Sequence, residues 1–172
     1  MAPQIELTPA DPLSADAQAC LESYFAEIAS RFPGGFDRQA GGASAVEEFV
    51  PPIGCLLLAR LVGQPVGCGA IRTLNPGVGE IKRMWVSPRV RGMGVGRRLL
   101  QELELFARNR QWRTVRLDTN ASLNEAIGLY LRSGYHEIAR FNDNPYAQRW
   151  FEKTLEPCVQ QGENAGMKQG IN

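Results

Sequence analysis

The chain is poor in soft metal ligands: one histidine, His136, and four cysteines, Cys20, Cys55, Cys68 and Cys158, in 172 residues. The cysteines are scattered, with no Cys-x-x-Cys pair, so neither a zinc ribbon nor a redox dithiol is encoded, and we expect four reduced thiols and no metal. Net charge is lacking too. Nineteen Lys+Arg against 18 Asp+Glu leave +1, so no whole-protein field draws the chain to nucleic acid or to an anionic membrane. Any anion must be bound locally. The longest apolar run, Cys55-Leu-Leu-Leu-Ala59, is far too short to span a bilayer. The opening Met-Ala-Pro-Gln-Ile-Glu has neither the basic region nor the apolar run of a signal peptide. A cytoplasmic location is the expectation. What is present is ordinary for a soluble globular protein, with 44% hydrophobic and 22% charged residues and a length that fits one domain.

Along the chain, Ala19, Phe25 and Ile28, with Leu21 and Tyr24, recur at helical spacing over 15–31 behind a Ser14 cap. Glycines and prolines then mark 32–52 as a substrate-side loop with one short helix near 45–50. The β-prone runs 54–61 and 65–73, joined by Val62-Gly63-Gln64, read as a hairpin. A second turn at Asn75-Pro-Gly-Val-Gly79 leads to a strand over 80–86, with Glu80, Lys82, Met84 and Val86 predicted to share one face. Leu99, Leu100, Leu103, Phe106 and Ala107 form one helical stripe over 95–109. A strand over 114–118, a helix over 124–133 stopped by Gly134, and strands over 135–141 and 148–155 follow. The apolar face of the last helix is predicted to be Ala126, Ile127, Tyr130 and Leu131. Asp118 is expected to cap a turn or that helix. From 156 onward the residues read as a polar tail without its own core. The order predicts an α/β (α+β) domain over 1–155, with a mixed, mostly antiparallel twisted sheet and helices on both faces.

The most informative segment is Val86-Ser-Pro-Arg-Val-Arg-Gly-Met-Gly-Val-Gly96, between a strand and an amphipathic helix. Amides of a first helical turn lack intrahelical partners, and the helix dipole favours negative charge there. Gly92, Gly94 and Gly96 admit a diphosphate close to the backbone, with Arg89, Arg91, Arg97 and Arg98 around it. Two nucleotide motifs fit poorly. The spacing is Gly-x-Gly-x-Gly rather than Gly-x-Gly-x-x-Gly, and the preceding strand carries Glu80, Lys82 and Arg83 where a dinucleotide fold has a buried apolar strand. No Gly-Lys-Ser/Thr closes the cluster as a Walker loop requires.

Arg89-Val-Arg-Gly92-Met-Gly94 resembles the Gln/Arg-x-x-Gly-x-Gly/Ala hallmark of the GNAT superfamily of acyl-CoA-dependent N-acyltransferases. Asn124-Glu-Ala126-Ile-Gly-Leu-Tyr130-Leu-Arg-Ser-Gly134-Tyr135 is similar to a second segment of that family. The resemblance covers roughly 55–155. It implies acetyl-CoA as co-substrate. Its pyrophosphate would lie on the backbone from Arg91 through Gly92, Met93, Gly94 and Val95 to Gly96, with Arg91 and Arg97 adding charge. The backbone of Met84, Trp85 and Val86 would pair with the pantetheine amides, and the Val86 N–H would polarise the thioester carbonyl. Asn124 would bond the pantetheine arm, and Arg132 is a further candidate for the nucleotide phosphate.

The same resemblance implies an N-acetyltransferase that moves an acetyl group to a primary amine by direct attack in a ternary complex, with Glu80 at or near the base position and Tyr130 as the acid. An alkyl ammonium, of pKa about 10.4, has no lone pair until a base removes its proton. The acceptor is a small-molecule amine or a protein amino group, without nucleic acid or membrane as partner. An exposed sheet edge would allow a homodimer. A non-catalytic acyl-CoA-binding regulatory module is the alternative.

Overall fold

Seven strands and three helices follow one another in the order β1 (Ile5–Pro9), α1 (Ala15–Ser30), β2 (Gly54–Leu61), β3 (Gln64–Asn75), β4 (Val78–Val86), α2 (Val95–Asn109), β5 (Thr114–Thr119), α3 (Asn124–Arg132), β6 (His136–Ile138) and β7 (Arg149–Thr154). They are those of a computed structural model, which describes residues 4–40 and 44–158. Short 3-10 turns occupy Val46–Phe49 and Pro88–Val90. Beyond residue 158, the polar tail expected from the sequence lies outside the described residues.

The sheet order is β1-β2-β3-β4-β5-β7-β6, antiparallel throughout except for β4 and β5. A mixed, mostly antiparallel sheet covered on both faces is what the sequence pattern led us to expect. β1 is an addition: Ile5 is buried and Leu7 packs on the core, but five residues ending in Pro9 carry too little alternation to stand out. α1 begins as expected, with the Ala17 N–H donating to Ser14 Oγ at 3.3 Å. The residues it buries are Ala17 and Cys20, whereas Ala19 faces solvent. On α3 the expected apolar face is narrower, since Leu131 is exposed.

Both faces of the central strands are buried, which explains the unbroken apolar run at 55–59. Leu56 and Leu58 pack with Ala17 and Cys20 of α1, while Cys55, Leu57 and Ala59 join Leu99, Leu103 and Ile127 on the side of α2 and α3. Each buried leucine or isoleucine among them contributes about 1.5–3 kcal/mol of burial free energy.

β4 departs from simple alternation. Cys68 pairs with Trp85, and Ala70, two residues on, pairs with Lys82, so β4 carries one extra residue. Arg83 sits in this bulge at φ 60°, a left-handed conformation uncommon outside glycine. The extra residue inverts the facing. Ile81, Met84 and Val86 face the α2 side, whereas Glu80 and Lys82 lie on the side where Trp85 meets α1. The expected single face of Glu80, Lys82, Met84 and Val86 is therefore corrected.

Candidate active site in the gap between two strands

β4 and β5 pair only at Val78–Thr114, Gly79–Val115 and Glu80–Arg116. Beyond that point they part, β5 following β7 and β4 following β3. The gap opens into a cleft of about 1090 Å³, floored by β4 and β5 and closed at its sides by α1, α3 and the first turn of α2.

At the α2 end, Gly92 and Gly94 have φ of 81° and 75°, and a Cβ on either would meet nothing within 4 Å. These conformations favour glycine, and the space in front of the turn is open. Among the described residues the N–H groups of Gly94, Val95, Gly96 and Arg97 find no acceptor. That arrangement is a ready-made anion site. Met93 differs from expectation: its N–H is taken by the Val90 carbonyl at 3.3 Å, because the preceding 3-10 turn folds back on it. Arg91 also turns aside. Its Nε donates to the Val86 carbonyl at 3.0 Å and its Nη2 to the Glu27 carboxylate at 2.7 Å. Its charge is neutralised by α1 instead of being offered to a phosphate. Arg97 and Arg132 line the cleft and make no ion pair among the described residues, while Arg98 donates to the Ile5 carbonyl and ties α2 to β1.

Along the cleft edge of β4 the ladder settles which groups face the gap. The Ser87 N–H donates to the Val66 carbonyl at 2.8 Å, so its neighbour Val86 points N–H and C=O to the opposite edge, as alternation in an antiparallel pair requires. The bond from Arg91 to the Val86 carbonyl agrees with that direction. Met84, Trp85 and Val86 all line the cleft. The Trp85 indole donates to Glu27 Oε2 at 2.8 Å.

The titratable groups divide sharply. Glu80, 1% exposed, accepts from Arg72 Nε and Nη2 at 3.0 and 2.9 Å and from Lys82 Nζ at 3.2 Å. It does not line the cleft. Glu80, expected at or near the base position, is held by two cations on its own side of the sheet. Asp118, at the end of β5, does line the cleft. Burial pushes its carboxyl above the ordinary 3.8, an effect that bonds from Asn142 and Asn144 and the charge of Lys82 offset only in part. Asn144 Nδ2 donates to Oδ1 at 3.2 Å, and Asn142, whose own oxygen is fixed by the Trp150 indole at 2.9 Å, donates to Oδ2. The expected capping of a turn or of α3 is not what Asp118 does: its oxygens accept from the Asn142 and Asn144 side chains, and α3, with Leu123 at its N-cap, has no side-chain cap.

Tyr130 is 5% exposed and lines the cleft, its ring packed on Tyr135 at 6.0 Å and Phe151 at 6.3 Å. Burial foremost, then the nearby Tyr24 and Asp118, push its phenol well above its ordinary value. Tyr24, across the cleft on α1, is raised to about 12, chiefly by burial. Asn124 opens α3 and also faces the cleft, whereas Tyr135 is structural, its hydroxyl donating to the buried Glu104 at 3.0 Å. Reading the sequence assigns Asp118 only a capping role and Tyr24 only a place on the α1 stripe, and it does not foresee the Asn142–Asn144 tether.

Two strands that part beside a helix turn with unpartnered amides form a cleft suited to an anionic ligand, and comparison with known proteins identifies the family. A model of the acetyltransferase (GNAT) family matches residues 21–135. An IAA acetyltransferase of Azospirillum brasilense is 41% identical over 91 residues, which cover 52% of this chain and 58% of that protein. Among solved structures, a Klebsiella pneumoniae protein assigned to the acyl-CoA N-acyltransferases superposes with a TM-score of 0.73 at 30% identity, over 89% of this chain and 99% of that one. A GNAT acetyltransferase from Elizabethkingia anophelis with acetyl-CoA bound superposes with a TM-score of 0.63 at 16% identity, over 88% and 98% of the two chains. The chain belongs to the acetyltransferase (GNAT) family.

Proposed function

We propose that the protein is an N-acetyltransferase that moves an acetyl group from acetyl-CoA to a primary amine by direct attack within a ternary complex. The observation that carries this reading is the junction of two features in one cleft: unpartnered amides on the α2 turn, and a β4 edge with no strand partner beyond Glu80. An extended amide-bearing arm can add to that edge as a strand does, with its pyrophosphate on Gly94 to Arg97. Met84, Trp85 and Val86 form the edge, and Asn124 faces it from α3. Acetyl-CoA supplies an activated acetyl thioester.

The remaining chemistry belongs to the side chains. Asp118, rather than Glu80, takes the proton of the amine, directly or through water, because it faces the cleft and its carboxylate is held by neutral amides. The Val86 N–H is aimed into the gap, where it stabilises charge developing on the thioester oxygen. Tyr130 stays protonated across the working range and delivers a proton to the departing sulfur.

Among the described residues no helix is long and apolar enough to cross a membrane, and the four cysteines are free. A cytoplasmic enzyme fits both. The test is thiol release from acetyl-CoA across a library of amines. Acceleration by one class of amine supports the proposal, whereas tight acetyl-CoA binding with no acceleration by any amine or peptide N-terminus would support the non-catalytic binding module.

A further inference from the structure

The cations of the cleft are unequally committed. Arg31, Arg38, Lys82 and Arg91 are each held by a carboxylate. Arg97 and Arg132 carry no ion pair among the described residues, but they lie at the α2 and α3 end assigned to the nucleotide. Arg83 is the third cation of the cleft with no ion pair among the described residues, and it lies on the opposite side of the sheet, facing α1. Its guanidinium stands 4.8 Å from the Phe25 ring centroid, 5.8 Å from Tyr24 and 5.9 Å from Phe49. Apart from a side-chain contact with the Tyr24 phenol, stacking on rings leaves the N–H donors at its edge to a planar anion. Val62 and Gln111 also have positive φ, but they lie in turns, whereas Arg83 adopts it within a strand, where the bulge aims its side chain at the cleft. Backbone of this kind is kept where a side chain must be re-aimed.

Beside it the cleft has an aromatic wall. Phe32 and Phe36 lie 4.9 and 4.7 Å from Tyr146, and Phe36 lies 6.3 Å from Phe25. The wall joins two loops distant in sequence, pinned where the Asp37 N–H donates to Tyr146 Oη at 2.7 Å. Asp118 faces the same space, and the Tyr24 phenol feels both the Asp118 carboxylate and the Arg83 cation. One cation, one carboxylate and one apolar wall therefore converge on the half of the cleft left free by the cofactor.

We propose that Arg83 determines acceptor specificity by binding a carboxylate, so that the acceptor is an α-amino acid with an aromatic or large apolar side chain. The carboxylate meets Arg83, the side chain lies on Phe32, Phe36 and Tyr146, and the amine is left to Asp118. This rests on the acetyl-transfer reading of the same cleft, so binding is measured apart from turnover.

The experiment is calorimetric titration of the full chain, saturated with CoA, with L-phenylalanine, with phenethylamine, which lacks the carboxylate, and with glycine, which lacks the ring. Phenylalanine is expected to bind at least about tenfold more tightly than either, as a charge-assisted contact implies. Arg83→Asn, chosen because asparagine tolerates the left-handed conformation, should collapse the difference between phenylalanine and phenethylamine. Phenethylamine binding as tightly as phenylalanine on the unaltered chain overturns the proposal, as does no binding of phenylalanine, or a difference that survives in Arg83→Asn. A chain that binds phenylalanine selectively yet releases no thiol with any amine keeps the specificity inference and sinks acetyl transfer. One that acetylates other amines and ignores phenylalanine does the reverse.

Discussion

Two carboxylates on neighbouring strands show how partners decide what an acid can do. Glu80 on β4 closes the short stretch over which the two strands run side by side, and Asp118 on β5 lies two residues beyond its partner Arg116, where the strands have parted. Glu80 is wrapped by Arg72 and Lys82, so its charge is spent on holding β3, β4 and, through Arg72, Glu48 of the 3-10 turn together. Asp118 is bonded by two neutral amides, which orient its oxygens without supplying a counter-charge. Burial therefore raises its proton affinity. A lone motif scan sees two acids near a glycine turn. On the mechanism proposed above, one belongs to structure and the other to proton transfer.

The comparison breaks most visibly at Asp118. Asp118→Asn keeps the shape and removes the base, and kcat should fall by about 10³-fold, within the range for acid–base groups, with acetyl-CoA binding intact by calorimetry. Glu80→Gln should act on the fold instead. Leaving Arg72 and Lys82 without their buried anion costs about 3 kcal/mol, read as a lowered urea midpoint, while turnover per folded molecule changes little. Tyr130→Phe should lower kcat by about 10²-fold with acetyl-CoA affinity nearly unchanged in a titration. Gly94→Ala, forced into the left-handed region at φ 75°, should cost about 1–2 kcal/mol and weaken acetyl-CoA binding without touching the acid–base pair.

Much of this was legible before any coordinates, and the reason is local. The α2 stripe and the glycine turn before it are encoded by contiguous residues, and the Ser14 cap is written beside the helix it starts. The features that escaped are assembled across distance. Asp118 owes its setting to Asn142 and Asn144, 24 and 26 residues away, and the aromatic wall joins Phe32 and Phe36 to Tyr146 over more than a hundred residues. The bulge at Arg83 had no local signal, since nothing in Glu-Ile-Lys-Arg-Met-Trp-Val distinguishes a regular strand from one with an extra residue. Missing it put Glu80 on the same face as Met84.

The most direct test of the assignment is the pH dependence of kcat/KM in the unaltered chain, in Asp118→Asn and in Glu80→Gln. A base must be ionised to act, so activity is present above its folded-state pKa and is lost as pH falls through it. With Asp118 raised above 3.8, the acid limb should appear above that ordinary value, persist in Glu80→Gln and vanish in Asp118→Asn. An acid limb that survives in Asp118→Asn and disappears in Glu80→Gln would contradict the account and return the base to β4.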